Sequence, residues 1–269
     1  MFLSRLTARD FRNFESVEIS PDPCFNILHG DNGQGKTNLI EAIFWLSTLR
    51  PIRTSRLREL NRWTTRACKV EGAVDLEGLT HSLAVEFKDG QRQAYREGKK
   101  ARNQAYFGAL SVVLFTPEDV GLIRGAPEKR RRFMDRAIFT GRPGHLDDFM
   151  NYRRALDARN QLLRDHGSSE LLDVYEQTLA MSALKLIRAR AEYIESIRGF
   201  FKSNLETILG EEYQCSIKYK PSIDLGSDDG VSRLLETWAN DRRRDQERGF
   251  TQRGPHSDDL SFSILGHSA

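Results

Sequence analysis

The residues best suited to chemistry lie in GDNGQGKT, 30 to 37. Gly30, Gly35, Lys36 and Thr37 satisfy the spacing G-x-x-x-x-G-K-[ST]. Glycines let a backbone close around an anion, and the N–H groups of the loop and of the helix after it point inward. Gly30, Asp31, Asn32, Gly33, Gln34 and Gly35 form such a cradle, with Gln34 contributing its N–H more than its side chain. Lys36 reaches outer phosphates as a point charge, and the Thr37 hydroxyl suits Mg²⁺. Asn38 follows, within reach of an inner phosphate or equally placed to cap or pack. A random chain of this length shows the pattern roughly one time in a hundred. The plain alternative is a Gly-rich turn.

A phosphate cradle of this kind needs a strand before it and a helix after it. Cys24–Leu28 is short, apolar and bounded by Pro23 and Gly30, which predicts a buried strand. Beyond Thr37, Leu39, Ile43, Leu46 and Leu49 recur at helical spacing. Two strands are predicted over 2–9 and 15–19, with FRNF (11–14) between them. Residues 67–96 read as antiparallel. Cys68, Val70, Val74 and Leu76 share one face, Leu83, Val85 and Phe87 another, and Asp89-Gly90 is a hairpin turn. A second turn, EGKK, follows Tyr95, and SVVLF (111–115) predicts another buried strand. Thr116-Pro117-Glu118-Asp119 reads as a helix cap, a first-turn proline and first-turn acids.

After Gly125-Ala126-Pro127 the pattern turns helical. Pro127 opens a helix with Phe133, Ala137 and Ile138 on one side. A stripe from Leu146 to Leu163 follows, HGSS (166–169) breaks it, and a second stripe runs from Leu172 almost to Gly210. Two such segments joined by a short loop predict an antiparallel helical hairpin, with a small bundle as the alternative. Tyr213 to Tyr219 alternate as a strand, 231–248 are helical, and Leu260, Phe262 and Ile264 alternate again. The predicted architecture is α/β: a P-loop lobe with antiparallel hairpins over 1–125, a mainly helical arm over 126–248, and the start of a further lobe over 249–269.

The 269 residues are 39% hydrophobic and 29% charged, as in a globular protein, and no run approaches the ~20 apolar residues of a membrane span. Arg5 and Arg9 interrupt the first apolar segment, so it is not a signal peptide. The three cysteines are far apart without metal spacing, and two fall in apparent core strands. Reduced buried thiols and a cytoplasmic location are expected. The net charge of +3 is uneven. RPIRTSRLRELNRWTTR (50–66) carries Arg50, Arg53, Arg56, Arg58, Arg62 and Arg66 against Glu59, with Trp63 interleaved. That suits a surface tracking a nucleic-acid backbone, or else a run of solvated charge. Lys88, Arg92, Arg96, Lys99, Lys100 and Arg102 form a second basic set. Lys129–Arg132 and Arg242–Arg244 are balanced by nearby acids and are expected on solvated helix faces.

Four stretches together resemble the RecF family of bacterial recombination mediators, in the SMC-like branch of ABC-type ATPases. They are the first strand with FRNF (11–14), GDNGQGKTNLIEAI (30–43), LFTPEDVGLIRGAPEKRRRFMD (114–135) and TQRGPHSDDLSFSILG (251–266). The first two are common to many ATPases of the branch; the last two are more distinctive. The resemblance implies ATP and Mg²⁺ held between two heads, so that a homodimer closes on DNA and opens after hydrolysis. It assigns Arg12 and Asn13 to phosphate contact, beside the alternative of a solvated turn pair. It implies recognition of gapped DNA and single-strand/double-strand junctions, with RecR, RecO and RecA as partners, and no membrane association. Family members continue for about a hundred residues that carry the signature motif and the Walker B acid. Asp258-Asp259 precede an alternating strand and do not fit that role, so no catalytic residue is assigned and little or no ATP hydrolysis is expected of this chain alone. Rival readings are another SMC-like repair ATPase, disfavoured if it requires long coiled coils; a P-loop kinase of small molecules; and a passive DNA- or protein-binding module.

Overall fold

The computed structural model describes residues 1–142, 144–226 and 229–268. They form two compact units, Met1–Phe115 and Thr116–Ala269.

The first unit is built on strands β1 (Phe2–Phe11), β2 (Phe14–Ile19), β3 (Ala67–Leu76), β4 (Leu79–Lys88), β5 (Gln91–Arg96) and β6 (Lys99–Lys100). They pair antiparallel in the order β2-β1-β3-β4-β5-β6. The predicted alternation is seen in the register: Cys68 opposes Phe87 and Val70 opposes Val85, all four buried. Asp89 and Gly90 both have positive φ, the conformation that matches the strand twist in a two-residue hairpin. Helix α1 (Lys36–Thr48) lies on this sheet through Leu39, Ala42, Trp45 and Leu46. Gly72 permits the approach, because a Cβ there would sit 2.6 Å from Leu46 Cδ2. The Trp45 ring stacks on Phe11 at 5.7 Å. A short helix α2 (Asn103–Tyr106) follows β6 and completes the core with Tyr106.

Two predicted strands do not form. Cys24–Leu28 is irregular and exposed, Phe25 at 76%. The Asp22 carboxylate accepts from the N–H groups of Cys24 and Phe25, and Asn26 brackets the Asp22 backbone from both sides. Side-chain capture of backbone groups competes with a ladder. Residues 111–115 are likewise irregular, with Val113 98% exposed. Neither segment has a neighbouring strand in the six-stranded sheet. Cys24 is therefore exposed, while Cys68 and Cys215 are buried.

In the second unit, Pro117–Val120 is a 3-10 turn leading into α3 (Gly121–Arg124) and α4 (Pro127–Gly141). Thr116 donates from its N–H and its hydroxyl to Asp119, the reverse of the predicted cap; the Glu118 side chain lies outside the described residues. The buried stripe of α4 is Arg130, Met134 and Ile138, and Phe133 is exposed. Helices α5 (His145–Arg164) and α6 (Ser169–Leu209) form the predicted hairpin across a four-residue link. The Ser168 side chain caps α6 by accepting from the Leu171 N–H. Strand β7 (Cys215–Lys220) pairs antiparallel with β8 (Asp259–Ile264), which pairs with β9 (His267–Ser268). Helix α7 (Gly230–Arg248) packs on α6 through Leu234 and Trp238.

Ionic contacts organise this unit. Arg159 on α5, wholly buried, donates to Glu176 on α6 at 2.9 Å, to Asp245 on α7 at 2.7 Å and to the Thr251 hydroxyl. Arg190 holds Asp135 with two 2.8 Å bonds and also reaches Asp258. Arg130 pairs with Asp259 on β8, and Arg242 with Asp173 and Glu176. These two arginines are thus not on solvated faces: each charge is matched by a carboxylate partly or wholly withdrawn from water. Asp258 accepts from Tyr219, Ser222 and Arg190, and so joins β7 and α6 to the chain before β8. His256 bridges Tyr152 and the Thr251 carbonyl; the carbonyl requires a proton on Nε2, so Nδ1 accepts from Tyr152. Burial lowers the His256 pKa, which keeps this neutral arrangement.

Arg159→Leu leaves Asp245 a buried charge without a cationic partner and leaves Glu176 with Arg242 alone. The expected loss is about 3–5 kcal/mol in urea unfolding. Arg243→Leu, on the exposed side of α7, is expected to change stability by less than about 0.5 kcal/mol. Equal effects from the two substitutions would show that the buried network is not what holds the helices.

Candidate nucleotide site and adjoining basic surface

The loop 30–35 delivers the chain into α1 with Gly35 as its N-cap, at φ 105° and with no side-chain cap. The N–H groups of the first turn are thereby left to a ligand, at the positive end of the helix dipole. Gly35 is doubly constrained. Its left-handed backbone disfavours any side chain, and a Cβ would lie 2.7 Å from Phe14 and 2.8 Å from Asn13. FRNF thus forms one wall of the loop. Lys36 Nζ donates to the carbonyls of Gly30 and Asp31, both at 2.7 Å, which holds the ammonium over the loop. Thr37 is exposed on the first turn. Its hydroxyl is an oxygen donor of the kind Mg²⁺ takes, and among the described residues no cluster of three His, Cys, Asp or Glu could hold a metal. An uncapped helix start, a glycine cradle and an overhanging lysine fit a polyphosphate with its metal.

Hydrogen bonds join Asn13, Gln34, Asn38, Arg12 and Arg53 into one chain. Asn13 donates to the Gln34 carbonyl and accepts from Asn38 at 2.7 Å. Asn38 in turn accepts from Arg53. Glu41, one turn along α1, takes two bonds from Arg12, at 2.9 and 3.0 Å, and one from Arg53 at 2.9 Å. Its carboxylate also accepts from the N–H groups of Ile52 and Arg53. Glu41 is fully buried. Burial pushes its pKa up, but the guanidinium groups of Arg12 and Arg53 outweigh this and hold it below the usual 4.5. Arg12 sits at the β1–β2 turn with positive φ, its N–H bonded to the Leu60 carbonyl and its guanidinium to that of Glu59. Glu41 was not singled out in the sequence. The available signal was a carboxylate between Leu39 and Ala42 on the buried face of α1.

The arginine-rich segment divides. Arg53 belongs to the loop network, with half its side chain exposed. Arg62 is paired with Asp10 and Glu15. Arg50, Arg56, Arg58 and Arg66 are exposed, without an ion pair among the described residues. Asn61 and Arg62 fix the segment to β1 through a bridge to Phe11 and a 2.6 Å bond to the Asp10 carbonyl. A cleft of about 680 Å³ runs between Arg12, Asn13, Asn38 and Arg53 on one side and Asn61 to Trp63 on the other. Of the second basic set, Arg92 and Arg96 are spent on the carbonyls of Leu49 and Ala105, while Lys88, Lys99, Lys100 and Arg102 are exposed.

Glu41→Gln removes the charge that both arginines share. Because the folded pKa lies below 4.5, the carboxylate contributes stability above that pH and loses it as pH falls further. Wild type is therefore expected to exceed Glu41→Gln by roughly 1–3 kcal/mol at neutral pH, with the gap narrowing only below pH 4.5. Unfolding titrations from pH 8 to 3 check this; a gap that narrows as pH rises would contradict it.

Residues 2–194 match the model of the RecF/RecN/SMC N terminal domain. The DNA replication and repair protein RecF of Myxococcus xanthus is 40% identical over 282 residues, covering all of this chain and 73% of that protein. RecF of Anaeromyxobacter sp. is 39% identical over 275 residues, with 74% of it covered. Among solved structures, the recombination mediator protein RecF with ATP superposes at a TM-score of 0.90 and 26% identity, covering 99% of this chain and 74% of that one. The similarity extends across both units: this chain belongs to the RecF family of DNA replication and repair proteins, ATPases of the ABC/SMC-like kind.

Proposed function

We propose that the chain binds Mg-ATP on the 30–38 loop and DNA along the arginine-rich segment, and that the two sites are coupled through Arg53. The carrying observation is the double membership of Arg53. It lies in the basic segment, yet bonds Asn38 and Glu41 on the helix that begins at the phosphate loop. Lys36 neutralises the outer phosphates, the first-turn N–H groups of α1 take the oxygens, and Thr37 ligates Mg²⁺. Arg12 and Asn13, placed by the β1–β2 turn, bring further polar groups to the same edge. A ligand that pulls on Asn13 or Asn38 thereby changes what holds Arg53. ATP acts as a switch, favouring one of two assembly states by its differential affinity for them.

In keeping with the family, we assign the chain to recombinational repair at single-strand gaps and single-strand/double-strand junctions. ATP favours a homodimer closed on DNA, and RecR with RecO connects it to RecA loading. Support comes from the RecF relatives and from the likeness to a RecF structure with ATP described as part of the RecFOR pathway. A cytoplasmic setting suits this role; no described helix is long and apolar enough to cross a membrane.

Fluorescence anisotropy of a gapped DNA, with and without Mg-ATP, tests the proposal. ATP is expected to tighten binding, and Lys36→Ala to remove that gain while leaving ATP-free affinity unchanged. On duplex DNA, replacing Arg56, Arg58 and Arg66 together by alanine is expected to lower the salt slope by roughly 3, at ~0.9 for each phosphate neutralised. An unchanged slope would remove the segment from the DNA surface, and ATP-indifferent binding would remove the switch.

A further inference from the structure

Trp63 is 89% exposed, whereas Trp45 and Trp238 are fully buried. A tryptophan ring offers a large, rigid, amphipathic face, and the residue is enriched at contact surfaces. The backbone beneath it is held. Arg62 N–H bonds the Asp10 carbonyl, Thr65 N–H and hydroxyl both bond the Arg62 carbonyl, and Thr64 adopts positive φ to complete the turn. The ring therefore stands on a pinned turn. It lines the cleft on the loop side and also a second cleft of about 910 Å³ on the far side, which reaches Phe87, Asp89 and Gly90 at the β4–β5 turn. The far cleft is lined by Arg58 and Arg66, which make no ion pair among the described residues, by Arg12 and Arg62, which are held by Glu41 and by Asp10 and Glu15, and by the acids Glu59 and Asp89. None of residues 30–37 lines either cleft.

We propose that the far cleft is a site for one unpaired nucleotide of single-stranded DNA, with its base stacked on Trp63 and its flanking phosphates on Arg58 and Arg66. This rests on the reading of the arginine-rich segment as a DNA surface and adds to it which DNA the surface distinguishes. An aromatic face beside unpaired guanidinium groups is the combination that holds a base and its backbone. Bases inside a duplex are stacked on each other and cannot offer a face to Trp63. The arginines thus attract either form of DNA, and the tryptophan adds affinity for the unpaired form alone. The volume of the cleft lies in the range of small-ligand sites.

The test is titration of the chain with oligo(dT) in the absence of nucleotide, followed by intrinsic tryptophan fluorescence, beside anisotropy on oligo(dT) and on a blunt duplex. Because the other two tryptophans are buried, quenching reports Trp63. Oligo(dT) is expected to quench. Trp63→Ala is expected to weaken oligo(dT) binding by roughly 5- to 100-fold, Trp63→Phe to restore most of it, and duplex affinity to stay the same in both. If Trp63→Ala leaves oligo(dT) affinity unchanged, or weakens duplex and oligo(dT) equally, the inference fails while the DNA surface stands. If ATP quenches and oligo(dT) does not, the ring serves the nucleotide's base and the inference is overturned. If neither DNA binds, the DNA reading and the inference fall together.

Discussion

One buried carboxylate does most to shape the nucleotide edge of the first unit. Glu41 leaves water completely and is stabilised by two guanidinium groups and two backbone N–H groups. A lone buried charge would be expensive, so its presence depends on Arg12 and Arg53 staying in place. The dependence also runs the other way. Arg12 comes from the β1–β2 turn and Arg53 from the segment after α1, and nothing in local sequence brings them together. The ion cluster on α1 does so, and it sets the walls of the phosphate loop and the root of the arginine-rich segment in one step. Gly35 closes the arrangement from the other side, where Phe14 and Asn13 leave no space for a side chain.

The second unit relies on the same device. Arg159 and Arg190 lie among apolar residues of α5 and α6, and each gathers carboxylates from elements distant in sequence. TQRGPHSDD contributes Thr251, the Pro255 carbonyl, His256 and Asp258 to these contacts. That gives a physical account of a distinctive family stretch without assigning it chemistry: its polar residues tie the chain after α7 to α5, α6 and the β7 edge. Buried ion pairs add less net stability than their number suggests, but breaking one partner is costly, so they favour one arrangement of helices over near alternatives.

Much of this was legible in the sequence, and the exceptions have definite causes. Helix α1, the 67–96 hairpins and the long α5–α6 hairpin follow from periodicity and turn chemistry, which are local. Cys24–Leu28 and Ser111–Phe115 have the composition of strands, but a strand also requires a neighbour, and neither has one in the six-stranded sheet. At 22–26 the Asp and Asn side chains take the backbone groups instead. The loop glycines, Lys36 and Thr37 were readable because their role depends on spacing. Glu41 was not, because its partners are eleven and more residues away. The six arginines of 50–66 were readable as one basic run, but not as two populations: one pair is held by carboxylates, and the other four stand in solvent. The same tertiary pairing withdraws Arg130 and Arg242 from the solvated faces that their local charge balance suggested.

If Arg53 is the joint between nucleotide and DNA, its loss must uncouple the two without abolishing either. The most direct measurement is DNA affinity of Arg53→Ala with and without Mg-ATP, at several salt concentrations, against wild type. Coupling through Arg53 predicts that the ATP-dependent gain disappears while the ATP-free salt slope falls by only about one contact, ~0.9. An ATP-dependent gain of full size in Arg53→Ala would contradict it and place the coupling elsewhere in the chain.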